Sequence, residues 1–188
     1  YFPGEVNFRR ADVLVIGKVN SAAPGAVEGI RERAQALNPD AAIVTADLEI
    51  EVGNVDMLRG QKVLVIEDGP TVTHGGMAYG AGLVAAERYG ATAVEPRSYA
   101  VGTIADTYAS YPHMKNILPA MGYSEDQRKA LADTINACAA AEGVSCVVDA
   151  SPANLESMLD IEVPIVRVSY GFKQLSGDAI EERVLGLI

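Results

Sequence analysis

The sequence has no tryptophan, only three phenylalanines, two cysteines and two histidines in 188 residues. A hydrophobic content of 49% is nevertheless enough for a real core and too high for a disordered chain. Two cysteines make no disulfide framework. Cys138 lies in an alanine-rich helical stretch and Cys146 at the start of an apolar strand, a spacing unlike that of metal ligands. The expectation is two buried free thiols. His74 and His113 are far apart and read as loop residues, so no metal site is expected. Basic residues are also scarce. Fifteen Lys and Arg face 25 Asp and Glu, for a formal net charge of -10, which argues against nucleic acid or an anionic membrane as partner but leaves room for a local site that binds an anionic metabolite. No apolar run approaches the roughly 20 residues of a membrane span, and no secretory signal pattern opens the chain, so a cytoplasmic location is expected. Finally, no Gly-x-x-x-x-Gly-Lys-Ser/Thr sequence occurs, so the phosphate cradle of a P-loop is missing.

What is present is an alternation of short β-branched runs with amphipathic or alanine-rich segments. Strands are expected at 12–19, 41–45, 62–66, 92–94, 144–149 and 164–169. Helices are expected at 24–37, from 78 to 89, at 104–111, from Ser124 to about Ala141, at 153–159 and from Gly177 to the end. Ser124 with Gln127 three residues on is a capping-box signature, and Gly143 stops that helix. In the last segment Ile180, Val184, Leu187 and Ile188 form one apolar stripe, suited to packing on this protein or on a partner, including a second copy. The pattern predicts an α/β fold with a mostly parallel sheet and helices on both faces, a Rossmann-like or P-loop-NTPase-like three-layer sandwich. Ligands in such folds bind beyond the carboxyl ends of the strands. The loops expected there are 18–21, 45–47, 68–77 and 149–152. A composition shift in the acidic segment 49–60 suggests a boundary, with one domain over 1–58 and another over 59–188.

The segment Glu67-Asp68-Gly69-Pro70-Thr71-Val72-Thr73-His74-Gly75-Gly76-Met77, followed by Tyr79-Gly80-Ala81-Gly82, concentrates acid, hydroxyl, imidazole and bare backbone between a strand and a helix. Helix-start amides lack partners within the helix and carry partial positive charge, so this reads as an anion pocket. Asp68, Thr71, Thr73, His74, Gly75 and Gly76 are the candidate ligand residues. His74 can donate to an anionic oxygen or carry a proton near neutral pH, and Arg97 can clamp a phosphate, so these two are the catalytic candidates. Alternatives stand beside these roles: Glu67 and Asp68 either hold a magnesium ion through water or cap the turn and the helix by accepting amide hydrogen bonds, and Arg97 pairs with Glu95.

The blocks Tyr1-Phe2-Pro3-Gly4-Glu5-Val6-Asn7, Ala11-Asp12-Val13-Leu14-Val15-Ile16 with Lys18-Val19, the Thr73-His74-Gly75-Gly76-Met77 loop, and Leu118-Pro119-Ala120-Met121-Gly122-Tyr123-Ser124 together resemble the C-terminal portion of the cyclic 2,3-diphosphoglycerate synthetase family, which includes GTPase-like members. The resemblance spans nearly the whole chain. It implies an upstream P-loop domain, or a second subunit, that binds ATP or GTP with magnesium through residues absent from this chain, so that residues 1–58 would end a P-loop NTPase-like domain. It also implies a phosphorylated small-molecule anion as acceptor for phosphoryl transfer and ring closure. The start without methionine fits a fragment, a cleaved product or the second subunit of a split enzyme. At the place where many GTPases carry Asn-Lys-x-Asp, this chain reads Gly17-Lys18-Val19-Asn20, so Lys18 and Asn20 are the candidate base contacts and guanine specificity is weakened by loss of the aspartate. The leading expectation is the C-terminal part of an NTP-dependent synthetase. A GTPase-like regulatory protein and a noncatalytic metabolite-binding or assembly module are the alternatives.

Overall fold

The computed structural model describes residues 4–177 and 180–186, in which the chain divides into two compact units. Residues up to Glu49 and from Tyr170 form the first unit, and Ile50–Ser169 form the second. Strands β2 (Ala42–Val52) and β7 (Ile165–Ser176) pass from one to the other.

In the first unit, helix α1 (Gly4–Arg10), strand β1 (Val13–Ile16) and helix α2 (Ala26–Leu37) precede β2. β1 and β2 pair in parallel, Val13 opposite Ala42 and Ile16 opposite Thr45. Asn38, which caps α2, is buried and donates through Nδ2 to the carbonyls of Phe8 and Ala11 at 3.0 and 2.8 Å, joining the ends of α1 and α2. The late part of β7 runs antiparallel to β2: Ser176 meets Thr45, and Lys173 pairs with Glu49 at 2.8 Å. Helix α1 is not among the expected helices. Its Glu5 and Arg9, one turn apart, form a 2.7 Å ion pair of the kind that supports a short surface helix. β2 also outruns its expected end at residue 45. Leu48, Ile50 and Val52 alternate with Asp47, Glu49 and Glu51, a period of two that is a strand signal even in an acidic segment. Helix α2 starts at Ala26 because Pro24 and Gly25 form a turn. Of the expected terminal helix, α8 (Ile180–Leu185) is seen, with Val184 and Leu185 exposed, while Leu187 and Ile188 lie outside the described residues.

The second unit is a parallel α/β layer structure. Strands β3 (Lys62–Asp68), β4 (Thr92–Ala93), β5 (Leu118–Ala120) and β6 (Cys146–Ala150) join the first part of β7 in the order β7-β6-β3-β4, with β5 beside the end of β3. All the pairings in this unit for which a register is defined are parallel: Ile66 stands opposite Asp149 of β6 and Leu118 of β5, and Val148 opposite Val166 of β7. Val63 through Ile66 are all fully buried. Successive side chains point to opposite faces of a strand, so both faces of β3 are covered. The cover comes from helices α4 (Ala81–Arg88), α5 (Gly102–Ser110) and α6 (Glu125–Glu142), whose Ala85, Ile104, Leu131 and Ile135 sit in the same aliphatic core. Each such buried branched side chain contributes about 2 kcal/mol. Cys138 and Cys146 are free and buried there, and burial pushes both thiols up to about 11. Among the described residues no helix is long and apolar enough to cross a membrane.

Three differences from the sequence reading bear on the site. The glycine loop contains a short helix, α3 (Gly69–Thr73), because Pro70 in its first turn has a preset helical φ and needs no N–H partner. β5 is a three-residue strand, too short for any periodicity to reveal. Helix α7 (Leu155–Met158) is a single turn, beginning two residues later than expected.

Helix α6 follows its sequence signals closely. Ser124 accepts from the Gln127 amide, Gln127 reaches back to the Ser124 amide at 3.1 Å, and Gly143 ends it. Ser124→Ala should therefore lower stability by about 1 kcal/mol, read as a lower urea midpoint at unchanged slope.

Candidate functional site

Because β3, β5 and β6 are parallel and adjacent, the segments that leave their carboxyl ends emerge together. Asp68 stands opposite Ala120, and Glu67 opposite Ala150. The chain thus brings α3, residues 121–124 and residues 151–154 to one end of the sheet.

Glu67 is the organising side chain there. It is 3% exposed, and its Oε1 accepts from the Leu83 amide at 2.9 Å, with the Gly80 and Gly82 amides also contributing. These are first-turn amides of α4, the donors that an external anion would use. The glycines are needed for this contact: a Cβ on Gly80 would fall 2.2 Å from Glu67 Oε2. So the Gly80-Ala81-Gly82 stretch seats the chain's own carboxylate, and of the two sequence alternatives for Glu67 the structure shows the cap. Burial raises its pKa from 4.5 to about 7, outweighing the amides that pull it down; nearby Asp149 adds to the rise.

Asp149 ends the apolar run of β6 and is fully buried. Its Oδ1 accepts from the Ser151 amide at 2.9 Å and its Oδ2 from Arg167 at 2.5 Å. The Arg167 guanidinium also donates to the Ala153 carbonyl, yet the side chain remains 44% exposed. Tyr123 and Ser151 complete the group. Burial raises the Tyr123 phenol above its usual range; Ser151 beside it eases the shift, Asp149 and Asp68 add to it, and Arg167 opposes it. None of Asp149, Ser151, Tyr123 and Arg167 was singled out from the sequence, although the 149–152 loop was. The available signal was an acid closing the β-branched run Val147-Val148, which is costly unless paired.

Asp68 caps α3 by position and accepts from the exposed Thr71 hydroxyl at 3.2 Å. Thr73 is buried; its Oγ1 donates to the Gly69 carbonyl at 2.8 Å and lies 3.0 Å from His74 Nδ1. The amides of His74 and Gly75 both point at the Pro70 carbonyl, and that of Gly76 at the Thr73 carbonyl. Gly75 has no room for a side chain, since a Cβ would lie 2.3 Å from the Thr71 oxygen. His74 itself is exposed, its ring 6.0 Å from Tyr111, which in turn stands edge-on to His113 at 6.3 Å. His113 Nε2 meets the Val72 carbonyl at 2.7 Å. Arg97 spends its guanidinium on the carbonyls of Tyr108, Pro112 and Met114, stacks over Tyr108 at 5.0 Å, and pairs with Glu95 at 3.6 Å. It thereby braces the loop that places Tyr111 against His74.

Lys18 and Asn20 belong to the first unit. Lys18 is the one non-glycine residue with positive φ among the described residues (59°), and its carbonyl accepts from the Ser21 amide and hydroxyl. Asn20 donates through Nδ2 to the Leu48 carbonyl at 3.0 Å, which leaves its Oδ1 as the acceptor for any base. Among the described residues no group of three or more His, Cys, Asp or Glu is placed to hold a metal ion.

The raised pKa of Glu67 sets a pH dependence. Between 4.5 and about 7 the folded chain holds a proton that the unfolded chain has released. Stability should therefore fall as pH rises through that interval, by on the order of 3 kcal/mol, and level off above it. Glu67→Gln keeps an oxygen for the Leu83 amide and removes the titration. The wild-type minus variant difference in unfolding free energy should change by that amount across the interval, and parallel profiles would show that Glu67 is not the buried titrating acid.

No protein-family model matches the chain. Over 183 residues, 97% of its length, it is 43% identical to a protein of Thermococcus kodakarensis (strain ATCC BAA-918 / JCM 12380 / KOD1) named arginine synthetase ArcE. The chain spans 40% of that protein's length. Its similarity is thus to part of a protein named as a synthetase.

Proposed function

We propose that this chain is the acceptor-binding part of an NTP-dependent synthetase. The observation that carries the proposal is the 43% identity to a named synthetase over 97% of the chain. It is supported by the convergence of Glu67, Asp68, Asp149, Tyr123 and Arg167 at the carboxyl ends of parallel strands, the place where α/β sheets hold ligands. The residues present do not fit a nucleotide phosphate with its magnesium: there is no P-loop sequence and, among the described residues, no cluster of metal-binding acids. ATP or GTP with Mg2+ is therefore assigned to a P-loop domain or subunit outside this sequence, and supplies a phosphoryl group there. The work of this chain is to bind and orient the acceptor, shield it from water and place its reacting atom. Positioning of this kind supplies much of the rate in phosphoryl transfer.

Two acceptors are in contention. The relative's name points to arginine as the product of the synthesis, so that the acceptor is an amino-acid precursor of arginine and arginine itself occupies the same site as product. The motif resemblance points to 2,3-diphosphoglycerate. The distribution of charge favours the first. Glu67, Asp68 and Asp149 gather at the sheet end with Arg167, whose charge is already paired with Asp149. A bisphosphate there would face carboxylates, whereas a basic amino acid offers a cation to Asp68 and a carboxylate to donors nearby. The observation that favours the phosphorylated acid is the exposed imidazole of His74, with one ring nitrogen held by Thr73 and the other left for a ligand oxygen. In either case His74 faces the substrate at the rim, and Arg97 is a positioning residue that holds the 108–114 loop against it.

Calorimetric titration of the protein with L-arginine and with 2,3-diphosphoglycerate, each with and without ATP and magnesium, tests this. Heat with arginine supports the first acceptor, and heat with the diphosphoglycerate alone supports the second. No heat with either overturns the acceptor role. His74→Ala is expected to weaken whichever ligand binds ~10-fold, the loss of one good hydrogen bond, without lowering the melting temperature.

A further inference from the structure

The tetrapeptide Val-Leu-Val-Ile occurs twice in the chain, as Val13-Leu14-Val15-Ile16 in β1 and as Val63-Leu64-Val65-Ile66 in β3. In β3, with β6 on one side and β4 and β5 on the other, all four side chains are fully buried. In β1 only Ile16 is buried; Val13 and Leu14 are half-buried and Val15 is 47% exposed. The same four residues thus form a central strand in one place and an edge strand in the other. A continuous run of β-branched and leucine side chains is the composition of a parallel strand covered on both faces. Edge strands are ordinarily kept from further pairing by a charge, a proline or a bulge, and β1 has none of these: its register against β2 is regular from Val13 to Ile16.

The backbone of β1 is open along its outer side. Among the described residues β1 ends the strand order, with β2 as its neighbour. Ala42 donates to the Asp12 carbonyl at 2.9 Å, and in a parallel ladder alternate residues bond a given neighbour. Leu14 and Ile16 therefore turn N–H and C=O toward β2, while Val13 and Val15 turn theirs to the open edge. Ile30 of α2, the helix that packs on β1, is also 49% exposed. Unpaired backbone and uncovered apolar side chains thus lie together on this part of the first unit.

The polarity of the strand and its length indicate the occupant. A two-fold dimer would set β1 against its own copy, four residues a side, where a stable interface uses roughly 20 or more. A domain that extends the parallel sheet brings a crossover helix with its strand, and so covers the faces as well as the edge. More than half of the Thermococcus relative has no counterpart in this chain, and the P-loop is missing here.

We propose that the outer edge of β1 is the docking surface for the nucleotide-binding part of the synthetase, which adds a parallel strand beside Val13 and Val15 and covers Val15 and Ile30. The inference rests on the reading above that such a part lies outside this sequence.

Residue-resolved hydrogen exchange is measured on this chain alone and on its complex with the P-loop polypeptide encoded with it. In the chain alone the amides of Val13 and Val15 should exchange ~100-fold faster than those of Leu14 and Ile16, and in the complex they should gain protection of about that size. Val15→Lys puts a charge where the chain alone leaves it in water, so the melting temperature should hold while the complex weakens ~100-fold or more. A complex that forms with the Val13 and Val15 amides still unprotected, or that Val15→Lys leaves at full affinity, overturns the β1 surface alone. A dimer of the isolated chain by light scattering, with these two amides protected in it, gives the edge to a second copy and overturns the proposal. If no P-loop polypeptide binds the chain, the synthetase reading falls and the docking surface with it.

Discussion

The carboxylate of Glu67 sits on the first-turn amides of α4, and the arrangement of the loops at the carboxyl ends of the second unit's strands depends on that placement. It requires glycine at residue 80, since a side chain there would occupy the carboxylate's own position. It fills the helix start that would otherwise attract an anion from solution. It also brings a buried acid beside Asp149, a combination sustained because Asp149 is itself paired with Arg167 and the Ser151 amide. Removing one partner from such a network strands a charge in a low-dielectric setting, which costs more than the pair contributes. The network is therefore rigid in composition: each member's burial is tolerable only because of the next.

That arrangement explains how a glycine-rich loop after a strand can look like a phosphate cradle in sequence and be wired differently in space. The ingredients were legible. Glycine, hydroxyl, imidazole and acid do cluster between β3 and α4. Their partners were not. Thr73 is consumed by the Gly69 carbonyl, the amides of residues 74 to 76 by Pro70 and Thr73, and the helix start by Glu67. A linear pattern shows which groups are available for chemistry but not which have been spent on the fold, because that accounting depends on contacts a few residues away in space. Thr71, His74 and Met77 are members of the loop whose side chains still face solvent.

The same distinction separates what the sequence revealed about the fold from what it hid. The strand expected at 62–66 was readable because a run of β-branched and leucine side chains fits a strand buried on both faces, as in a parallel sheet covered by helices. α6 was readable from both ends, through its capping box and Gly143. β5 escaped because three residues carry no period, and its place beside β3 is fixed by long-range pairing rather than by local propensity. The run of β2 to Val52 escaped because acidic residues suggested a linker, when alternation with Leu48, Ile50 and Val52 carried the stronger signal. α1 has little sequence signature beyond one ion pair.

Tyr123 and Ser151 face each other at the strand ends, where Ser151 eases the rise of the Tyr123 phenol. Glu67, Asp68, Asp149, Thr73 and Arg167 all have protein partners. Those partnerships hold the site's shape in the unliganded state, so the donors that remain are preorganised and need no rearrangement of their neighbours to receive a ligand oxygen. In a chain with a net charge of -10, any site for an anionic group has to offset long-range repulsion with local donors, and the half-exposed guanidinium of Arg167 is such a donor at this sheet end.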